Sequence, residues 1–330
     1  MNFPFNVYLF SFLGSFLVSL LSLPLWRRVC LRLGFVDDPG DRKIHATRIP
    51  LAGGFTVLTG IVAPLLLGAV AVRWNLPLLH RGHPELEHGL YRRAAELSGF
   101  ILGALVIVLV GCLDDKFELR PAYKFAGQIV AALLVAYSGA RITLFVHSAV
   151  FSYAITVLWI LTVINAFNFM DNMNGLCAGL GYISSGCFAL IAMTNGHYLV
   201  TMLALLTCGA LLGFLPYNFP RAVAFLGDTG SHLVGYVLAV MAILPHFYTR
   251  QHPRVWTVFL PLLILAVPLG DLAWVVVLRW RLGKPFYVGD NNHLSHRLVR
   301  KGYSRLTAVI VIWILAAGAG GLAVALFLGG

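Results

Sequence analysis

Acidic and amide side chains stand at the ends of several apolar runs in this sequence. Asp114 and Asp115 close one run. Asn168 and Asp171 close a second run, and Asp228 precedes a third. Because the chain has only 13 acidic residues among 330, their position at these junctions needs a chemical explanation. Carboxylate and amide oxygens that meet at one surface suit a hard cation such as Mg²⁺ and the phosphates that it carries.

The elements that must position these residues are apolar segments long enough to cross a bilayer. Apolar residues make up 59% of the chain and charged residues 11%, whereas a soluble domain averages about 25% charged residues. Because about 20 helical residues span the hydrocarbon core, we predict about ten transmembrane helices in one all-α integral membrane domain over residues 1–330. They cover roughly residues 4–25, 51–72, 98–113, 122–139, 150–168, 176–194, 197–215, 230–247, 255–278 and 306–328. The first lacks a small-residue cleavage site and is too long for a signal-peptide core.

Basic residues are divided unevenly between the two sides of the predicted bundle. Loops 26–50, 114–124, 169–175, 216–229 and 279–305 contain 17 of the 24 Lys and Arg residues, and the opposite loops contain seven. The positive-inside rule makes the first set cytoplasmic, so the acidic junctions face the cytoplasm. The net charge of +11 then favours anionic lipids and phosphates. Nucleic acid is a poor explanation for this charge, because the basic residues are not collected in a soluble domain.

A pair of adjacent carboxylates, Asp114 and Asp115, ends the third predicted helix. Carboxylates at this position face the negative end of the helix dipole, so they require a cation or a proton. Lys124, at the start of the next helix, could pair with one of them or contact a phosphate. On its own, however, the acidic pair is also typical of a solvated helix end.

Three polar residues, Asn165, Asn168 and Asp171, recur at every third position at the end of the fifth predicted helix. This spacing places them near one helical face, so their oxygens and the last free carbonyl groups would point into one cation site. The alternative is an ordinary helix cap followed by a turn at residues 172–175.

Asp228 lies in the segment Phe225–Ser231, which opens the eighth predicted helix. The carboxylate is placed to cap this helix through its free N–H groups, and the same helix start could bind a phosphate. Gly227 and Gly230 would let a ligand approach the backbone, and Phe225 is near enough to stack on a planar base. A capping role does not exclude a metal role.

Two histidines, His293 and His296, lie with Arg297 in the most basic predicted cytoplasmic loop. Histidines three residues apart could bind zinc, but no third nitrogen or sulfur ligand stands at a suitable spacing. The set is better suited to a diphosphate, with a solvated amphipathic loop as the alternative. A further basic segment, Arg42–His45, on its own indicates no more than a basic loop before a turn.

Asp271 is a different case, because it falls inside the ninth predicted helix. A charge at this depth costs at least about 2.5–3.5 kcal/mol on insertion scales, so it must face the bundle interior with a partner or water. Its role is open between structural support and support of the active site. The five cysteines form no CxxC pair and are expected to be small core residues.

Taken together, these motifs resemble the polyprenyl-phosphate N-acetylhexosamine-1-phosphate transferases. The resemblance covers residues from about 37 to 305, in the expected order. It rests on five motifs, which contain Asp38, Pro39, Arg42, Lys43, His45, Pro50, Gly53 and Gly54; Asp114, Asp115, Lys124 and Gln128; Asn165, Asn168 and Asp171; Phe225 and Asp228; and Asp290, His293, His296 and Arg297. Each motif is modest alone, but all five in order on one predicted face are highly specific.

The resemblance implies a reaction and a set of roles. Undecaprenyl phosphate would attack the β-phosphorus of a UDP-N-acetylhexosamine at the bacterial cytoplasmic membrane, giving a polyprenyl-diphospho-sugar and UMP for cell-envelope polysaccharide synthesis. Mg²⁺, or Mn²⁺ in its place, would lie near the catalytic Asp228, with Asn168 or Asp171. The resemblance also implies that Asp114 and Asp115 position or deprotonate the carrier phosphate. It implies phosphate contacts by Lys124, His293 and His296. The residues implied to bind the substrate in other ways are Lys43, His45, Asn174, Phe225 and Arg297. A homodimer is also implied.

Two positions depart from many bacterial members of that family. Asn174 stands where they have a second Asp, which argues against a metal or catalytic role there. The eukaryotic, dolichol-linked branch resembles this chain in having Asn at that position. Binding of the uracil base is therefore compatible with Asn174. Ser295 stands where many relatives have a third histidine, so diphosphate binding would rest on His293 and His296.

Two other functions are compatible with a polytopic membrane protein of this composition. A secondary transporter would place polar groups near the midplane of broken helices, whereas here only Asp271 is deep. A CDP-alcohol phosphotransferase also uses Mg²⁺ and carboxylates, but its DGxxAR and DxxxD pattern is missing. Within the resembled family the donor sugar is open as well. GlcNAc is the commonest choice, and GalNAc or MurNAc-pentapeptide fits the same motifs.

Overall fold

The computed structural model describes residues 3–38, 47–74, 93–245, 247, 254–285 and 292–329, and these residues are almost wholly helical. The helices are α1 (Phe5–Leu33), α2 (Gly53–Arg73), α3 (Ala94–Phe117), α4 (Pro121–Tyr137), α5 (Ala149–Met170), α6 (Leu176–Thr194), α7 (Tyr198–Asn218), α8 (Gly227–Met241), α9 (Leu260–Ile264), α10 (Ala266–Arg281), α11 (Leu294–Arg300) and α12 (Arg305–Leu328). A 3₁₀ helix, Val255–Phe259, precedes α9. Two short strands, β1 (Val36–Asp37) and β2 (Ile49–Pro50), pair antiparallel.

Each of the ten predicted spans coincides with helical structure, which confirms an all-α membrane protein. Within the described residues, seven helices are by themselves long and apolar enough to cross a bilayer, and a bent pair raises the number to eight. The helices α4 and α8 have only 17 and 15 residues, which is shorter than a typical span. The total of ten transmembrane helices therefore stays a prediction.

The ninth predicted span is bent rather than straight. The segment that ends with α9 meets α10 at an angle of 75° around Leu265. Pro268 has no N–H to donate to the carbonyl group of Ile264, so a continuous helix would lose a hydrogen bond at this point. The bend turns α10 into an independent element whose buried face carries Asp271.

The core is built by close approach of helices with small residues at their contacts. Ser15 and Ser19 of α1 donate hydrogen bonds to the carbonyl groups of Leu206 and Ala210 on α7, the second at 2.7 Å. Small side chains allow such close approach, and packing of this kind drives helix association inside a membrane. All five cysteines are free thiols, and four of them are buried, as expected for small core residues.

The helix α8 occupies the centre of the described bundle. Every residue from Thr229 to Met241 is buried, and the helix packs against α2, α3 and α5. Because Asp228 lies in the first turn of this central helix, the ends of the surrounding helices determine what reaches its carboxylate.

Candidate active site

The start of α8 is capped by a residue from another helix. Asp115, near the end of α3, accepts hydrogen bonds from the backbone N–H groups of Asp228 at 2.7 Å and Thr229 at 3.0 Å. It also accepts one from the Thr229 hydroxyl at 2.6 Å. The expectation that Asp228 caps its own helix is therefore wrong, because Asp115 already satisfies those free N–H groups. The carboxylate of Asp228 is left available for other partners.

Gly227 makes this cap sterically possible. Its φ of 73° lies in the left-handed region that favours glycine. A Cβ at this position would also come within 2.8 Å of the Asp115 carboxylate. The absence of a side chain at Gly227 thus lets the Asp115 carboxylate reach the start of α8, in addition to any room that it leaves for a ligand.

The Asp228 carboxylate is held by two side chains from other helices. Its Oδ1 accepts a hydrogen bond from Asn168 Nδ2 at 2.7 Å, and its Oδ2 accepts one from Lys124 Nζ at 3.4 Å. Asn168 also donates to the Ser231 hydroxyl at 3.1 Å. The ends of α5, α4 and α8 therefore meet at a single carboxylate.

Lys124 bridges two carboxylates. Its ammonium group forms an ion pair with Asp114 Oδ2 as well as with Asp228. The side chain of Asp114 is buried, and its Oδ1 accepts a hydrogen bond from the backbone N–H of Leu119 at 2.9 Å. One lysine charge thus stands between two acids. This arrangement leaves net negative charge for a further cation to compensate.

Asp171, which follows the last residue of α5, is influenced by the charges of this cluster. Burial raises the pKa of Asp171 well above its usual range, and the nearby charges of Asp228 and Asp115 raise it further. An isolated buried acid of this kind takes up a proton, whereas a bound divalent cation would keep it ionised. A cation bound at this site would therefore favour the ionised form of Asp171.

The acids of this cluster are oxygen donors of the kind that Mg²⁺ prefers. Among the described residues, no three His, Cys, Asp or Glu side chains stand together as a ready-made metal site. Mg²⁺ does not need such a cage, because it is usually bound through one or two carboxylates plus water and substrate phosphates. The oxygens of Asp228 and Asp171 fit that requirement, while the amide N–H of Asn168 orients Asp228.

Asn165 does not face this cluster. Its Nδ2 donates to Gln128 Oε1 of α4 at 2.8 Å and to the carbonyl group of Leu161 at 2.8 Å. The expectation that Asn165, Asn168 and Asp171 point into one site is therefore wrong for Asn165. Its amide instead ties α5 to α4, the helix that carries Lys124.

A second group of contacts joins the loop after α5 to the end of α7 and the loop that follows it. Asn174 Nδ2 donates to the carbonyl group of Pro220 at 3.3 Å. Asn218, at the end of α7, accepts from Gly175 N at 2.7 Å and donates to the carbonyl group of Ala224 at 2.9 Å. Sequence reasoning missed Asn218, although an amide at a helix end between two loops is the available signal.

The turn before α8 is also tied to the turn before α2. Phe225 N donates to the carbonyl group of Pro50 at 3.0 Å, and Gly53 N donates to the carbonyl group of Phe225 at 2.9 Å. The Pro50–Gly54 turn thereby supports the backbone that presents Phe225 and Asp228. Two of the predicted substrate-binding residues, Lys43 and His45, lie outside the described residues, as does Asp290 of the resembled motif.

The histidine segment at the start of α11 contacts two other elements, α10 and the loop after α5. His293 Nδ1 is 2.7 Å from Asp271 Oδ2, and the Ser295 hydroxyl donates to Asn172 Oδ1 at 2.7 Å. Arg297 places its guanidinium group 4.5 Å from the centre of the Trp274 ring. Ser295, where many relatives have a histidine, thus serves as a link between α11 and the loop after α5.

His296 lies beside His293, with 6.3 Å between the ring centres. Burial lowers the pKa of His296, and the neighbouring His293, Arg305 and Arg300 lower it further, while Asp271 opposes them. The lowered pKa favours the neutral imidazole, which can still donate a hydrogen bond.

Comparison with known proteins shows the family to which this chain belongs. A sequence model of glycosyl transferase family 4 matches residues 97–246. A probable undecaprenyl-phosphate N-acetylglucosaminyl 1-phosphate transferase from Bacillus subtilis (strain 168) is 30% identical over 313 residues, which cover 92% of this chain and 81% of the relative. The chain belongs to the polyprenyl-phosphate N-acetylhexosamine-1-phosphate transferase family.

Two further relatives in this transferase family show its breadth. A decaprenyl-phosphate N-acetylglucosaminephosphotransferase from Mycobacterium tuberculosis (strain ATCC 25618 / H37Rv) is 31% identical over 314 residues, covering 87% of this chain and 74% of the relative. An undecaprenyl-phosphate alpha-N-acetylglucosaminyl 1-phosphate transferase from Escherichia coli (strain K12) is 26% identical over 321 residues, covering 92% and 80%. As a family member, this protein is a phospho-sugar transferase, and the family match includes Asp114, Asp115, Asn168, Asp171 and Asp228.

Proposed function

We propose that this protein transfers GlcNAc-1-phosphate from UDP-GlcNAc to undecaprenyl phosphate. A phosphate oxygen of the lipid forms a new bond to the β-phosphorus, the bond from that phosphorus to the bridging oxygen breaks, and UMP leaves. The observation that supports this proposal most directly is the cluster where three helix ends meet. In it, Lys124 forms ion pairs with both Asp114 and Asp228. The names of the relatives support both the sugar and the lipid carrier.

Charge neutralisation is the main task of such a site, because both reactants are anionic. Lys124 would contact phosphate oxygens, with His293 as a second donor. Mg²⁺, held by Asp228 and Asp171, would neutralise the diphosphate and stabilise the departing UMP. Phe225 and Asn174 lie on neighbouring loops, and we assign them to the uracil side of the donor.

We infer that neither Asp114 nor Asp115 acts as a general base. Asp114 already binds Lys124 and the Leu119 amide, and Asp115 uses both oxygens on the start of α8. A phosphate acceptor carries its own nucleophilic charge, so it needs no strong base. Positioning of the reactants then supplies most of the rate acceleration.

An apolar groove beside the bent helix is the candidate site for the polyprenyl chain. Its volume is about 760 Å³, and its lining includes Leu158 and Trp159 of α5 together with Leu269, Leu272 and Val276 of α10. An isoprenoid chain is purely apolar and already lies in lipid, so its binding in such a groove would depend on van der Waals packing against these side chains. The groove and the phosphate-binding segment are thus joined through α10.

The cluster would face the cytoplasm, where UDP-sugars are made available. The uneven distribution of Lys and Arg supports this orientation, and the bacterial relatives support a bacterial cytoplasmic membrane. The product would then enter cell-envelope polysaccharide synthesis from the inner side of the membrane.

The decisive experiment mixes purified protein with undecaprenyl phosphate, Mg²⁺ and one of several UDP-sugars. We expect UMP and a lipid-linked product with UDP-GlcNAc, and no product with Asp228→Ala, although that variant still inserts into membranes. Normal UMP release by Asp228→Ala would overturn the site assignment. Solute uptake without turnover would favour a transporter, and CMP release from a CDP-alcohol would favour the other phosphotransferase class.

A further inference from the structure

The carboxylate of Asp271 is buried in α10, and both of its oxygens contact the start of α11. Its Oδ2 lies 2.7 Å from His293 Nδ1, and its Oδ1 accepts a hydrogen bond from Leu294 N at 2.6 Å. The two side chains are only 1% and 7% exposed. Because a carboxylate can only accept hydrogen bonds, His293 must carry a proton on Nδ1.

This contact leaves a single ring nitrogen of His293 for a ligand. Within the described part of the chain, Nε2 of His293 makes no hydrogen bond. The imidazole ring packs edge-on against the ring of Phe169. The two ring centres are 5.3 Å apart, and the ring planes make an angle of 73°. Arg279 stands 5.0 Å from the centre of the same Phe169 ring. The imidazole is therefore fixed in orientation, with Nε2 as its remaining donor or acceptor.

The two polar residues that hold this arrangement come from one face of α10. Asp271 and Arg279 are two helical turns apart, and Val275 lies between them on the same buried face. An adjacent side of the helix, including Leu272 and Val276, lines the apolar groove. One short helix therefore contacts both the predicted lipid site and the histidine segment.

A purely structural anchor does not require a carboxylate here. Burying an acid inside the bilayer region is costly, and a neutral acceptor could bind the Leu294 N–H equally well. A carboxylate has a further effect on histidine, because it selects the tautomer and stabilises the imidazolium that forms against an anion. Among the residues that the structure describes, the titratable groups beside His293 are Asp271 from α10 and His296 from α11.

We propose that Asp271 is a positioning residue that fixes His293 so that Nε2 is presented to the diphosphate of the sugar nucleotide. The inference rests on the proposed function. The hydrogen bond between Ser295 and Asn172 supports it, because that bond holds the histidine segment against the loop that contains Asp171 and Asn174. Asp271 acts only through the histidine and touches neither reactant.

The test is a double-mutant cycle on the full-length protein. Asp271→Asn keeps the size of the side chain and removes its charge, and we expect kcat/KM for UDP-GlcNAc to fall about 10–100-fold, the range found when the partner of a ligating histidine is removed. The KM for undecaprenyl phosphate should stay unchanged. In the His293→Ala background, Asp271→Asn should cost less than about two-fold, because residues that act as a unit are not additive. Fully multiplicative losses would show that Asp271 does not act through His293.

A second measurement does not depend on turnover. Hydrogen exchange in the peptide 292–300 should be faster in Asp271→Ala, because the amide of Leu294 loses its acceptor. Val277→Ala, at an exposed position of the same helix, is the control and should leave exchange and kcat/KM unchanged. Unchanged exchange in Asp271→Ala would overturn the positioning role. Absence of UMP release by the wild-type protein would instead reject the proposed function.

Discussion

The acids of the candidate site divide into those that hold the structure and those that face a ligand. Both carboxylate oxygens of Asp115 accept hydrogen bonds from the first turn of α8. Both carboxylate oxygens of Asp271 contact the start of α11. Asp228 and Asp171 are the acids best placed for a cation. The same residue type thus has two tasks within one site, and the hydrogen-bond partners distinguish them.

Loss of the cap from Asp115 should lower stability and activity together. Asp115→Ala removes three hydrogen bonds from the start of α8, and we expect the free energy of unfolding to fall by about 2 kcal/mol, at the upper end of the range for a lost helix cap. Thermal unfolding in detergent measures this change. Asp228→Ala should abolish turnover without the same loss of stability. The exposed Glu118, on the same helix end, provides the control Glu118→Gln.

The raised pKa of Asp171 predicts a dependence of Mg²⁺ affinity on pH. A proton and the cation compete for this buried carboxylate, so the apparent affinity should increase as the pH rises through the raised pKa. Titration of activity with Mg²⁺ at several pH values measures the effect. Asp171→Asn should bind Mg²⁺ more weakly and lose this pH dependence. An identical pH dependence in Asp171→Asn would exclude Asp171 as the titrating group.

At the scale of helices, the site depends on how closely α3 approaches α8. A Cβ at Gly111 would come within 2.7 Å of the backbone nitrogen of Thr229. Apolar run length predicted both helices, because it reflects the bilayer thickness alone. It could not predict this contact, which depends on the packing of segments more than a hundred residues apart. The bend at Leu265 was missed for the same reason, although Pro268 was a visible signal.

Enlarging Gly111 should therefore displace Asp115 from its cap. We expect Gly111→Val to reduce stability by about 1–3 kcal/mol, the usual cost of overpacking, and to reduce kcat at least about ten-fold. Gly318→Ala on α12 is the control, because a Cβ there meets no atom within 4 Å. Full activity of Gly111→Val would mean that the α3–α8 spacing is not critical.

Filling the apolar groove should affect one substrate only. Leu272→Trp places a larger ring in the groove, so the KM for undecaprenyl phosphate should rise several-fold while the KM for UDP-GlcNAc stays the same. Val277→Trp changes an exposed residue of α10 that is outside the groove lining. It should leave both constants unaltered. Equal effects of the two variants would argue against the groove as the lipid site.

For the whole molecule, the sequence predicted the class of protein and most of the central cluster. The junctions of apolar runs with Asp114, Asp171 and Asp228 were readable because charged residues are rare in such a chain. The sequence could not predict that Asp271 contacts His293 or that Asn218 contacts Gly175, because these residues lie in different segments of the chain. The composition indicates a membrane bundle, whereas only the packing shows which polar atoms meet.

The orientation in the membrane can be tested on the whole protein. A cysteine introduced at Glu118 should react with a membrane-impermeant maleimide only from the cytoplasmic side, whereas one at His147 should react only from outside. Both side chains are exposed. The wild-type protein measures the background of its own thiols, four of which are buried. Labelling of both positions from the same side would refute the predicted topology.

The cap that Asp115 provides for α8 also bears on biogenesis. The two partners are 113 residues apart in the chain, so the ribosome synthesises α3 long before α8 leaves the exit tunnel. The amino end of α8 can complete its hydrogen bonds only after docking onto the earlier, already inserted segment. Catalytic competence would therefore arise as a late event of membrane assembly, and a nascent chain truncated before residue 227 could not bind nucleotide productively.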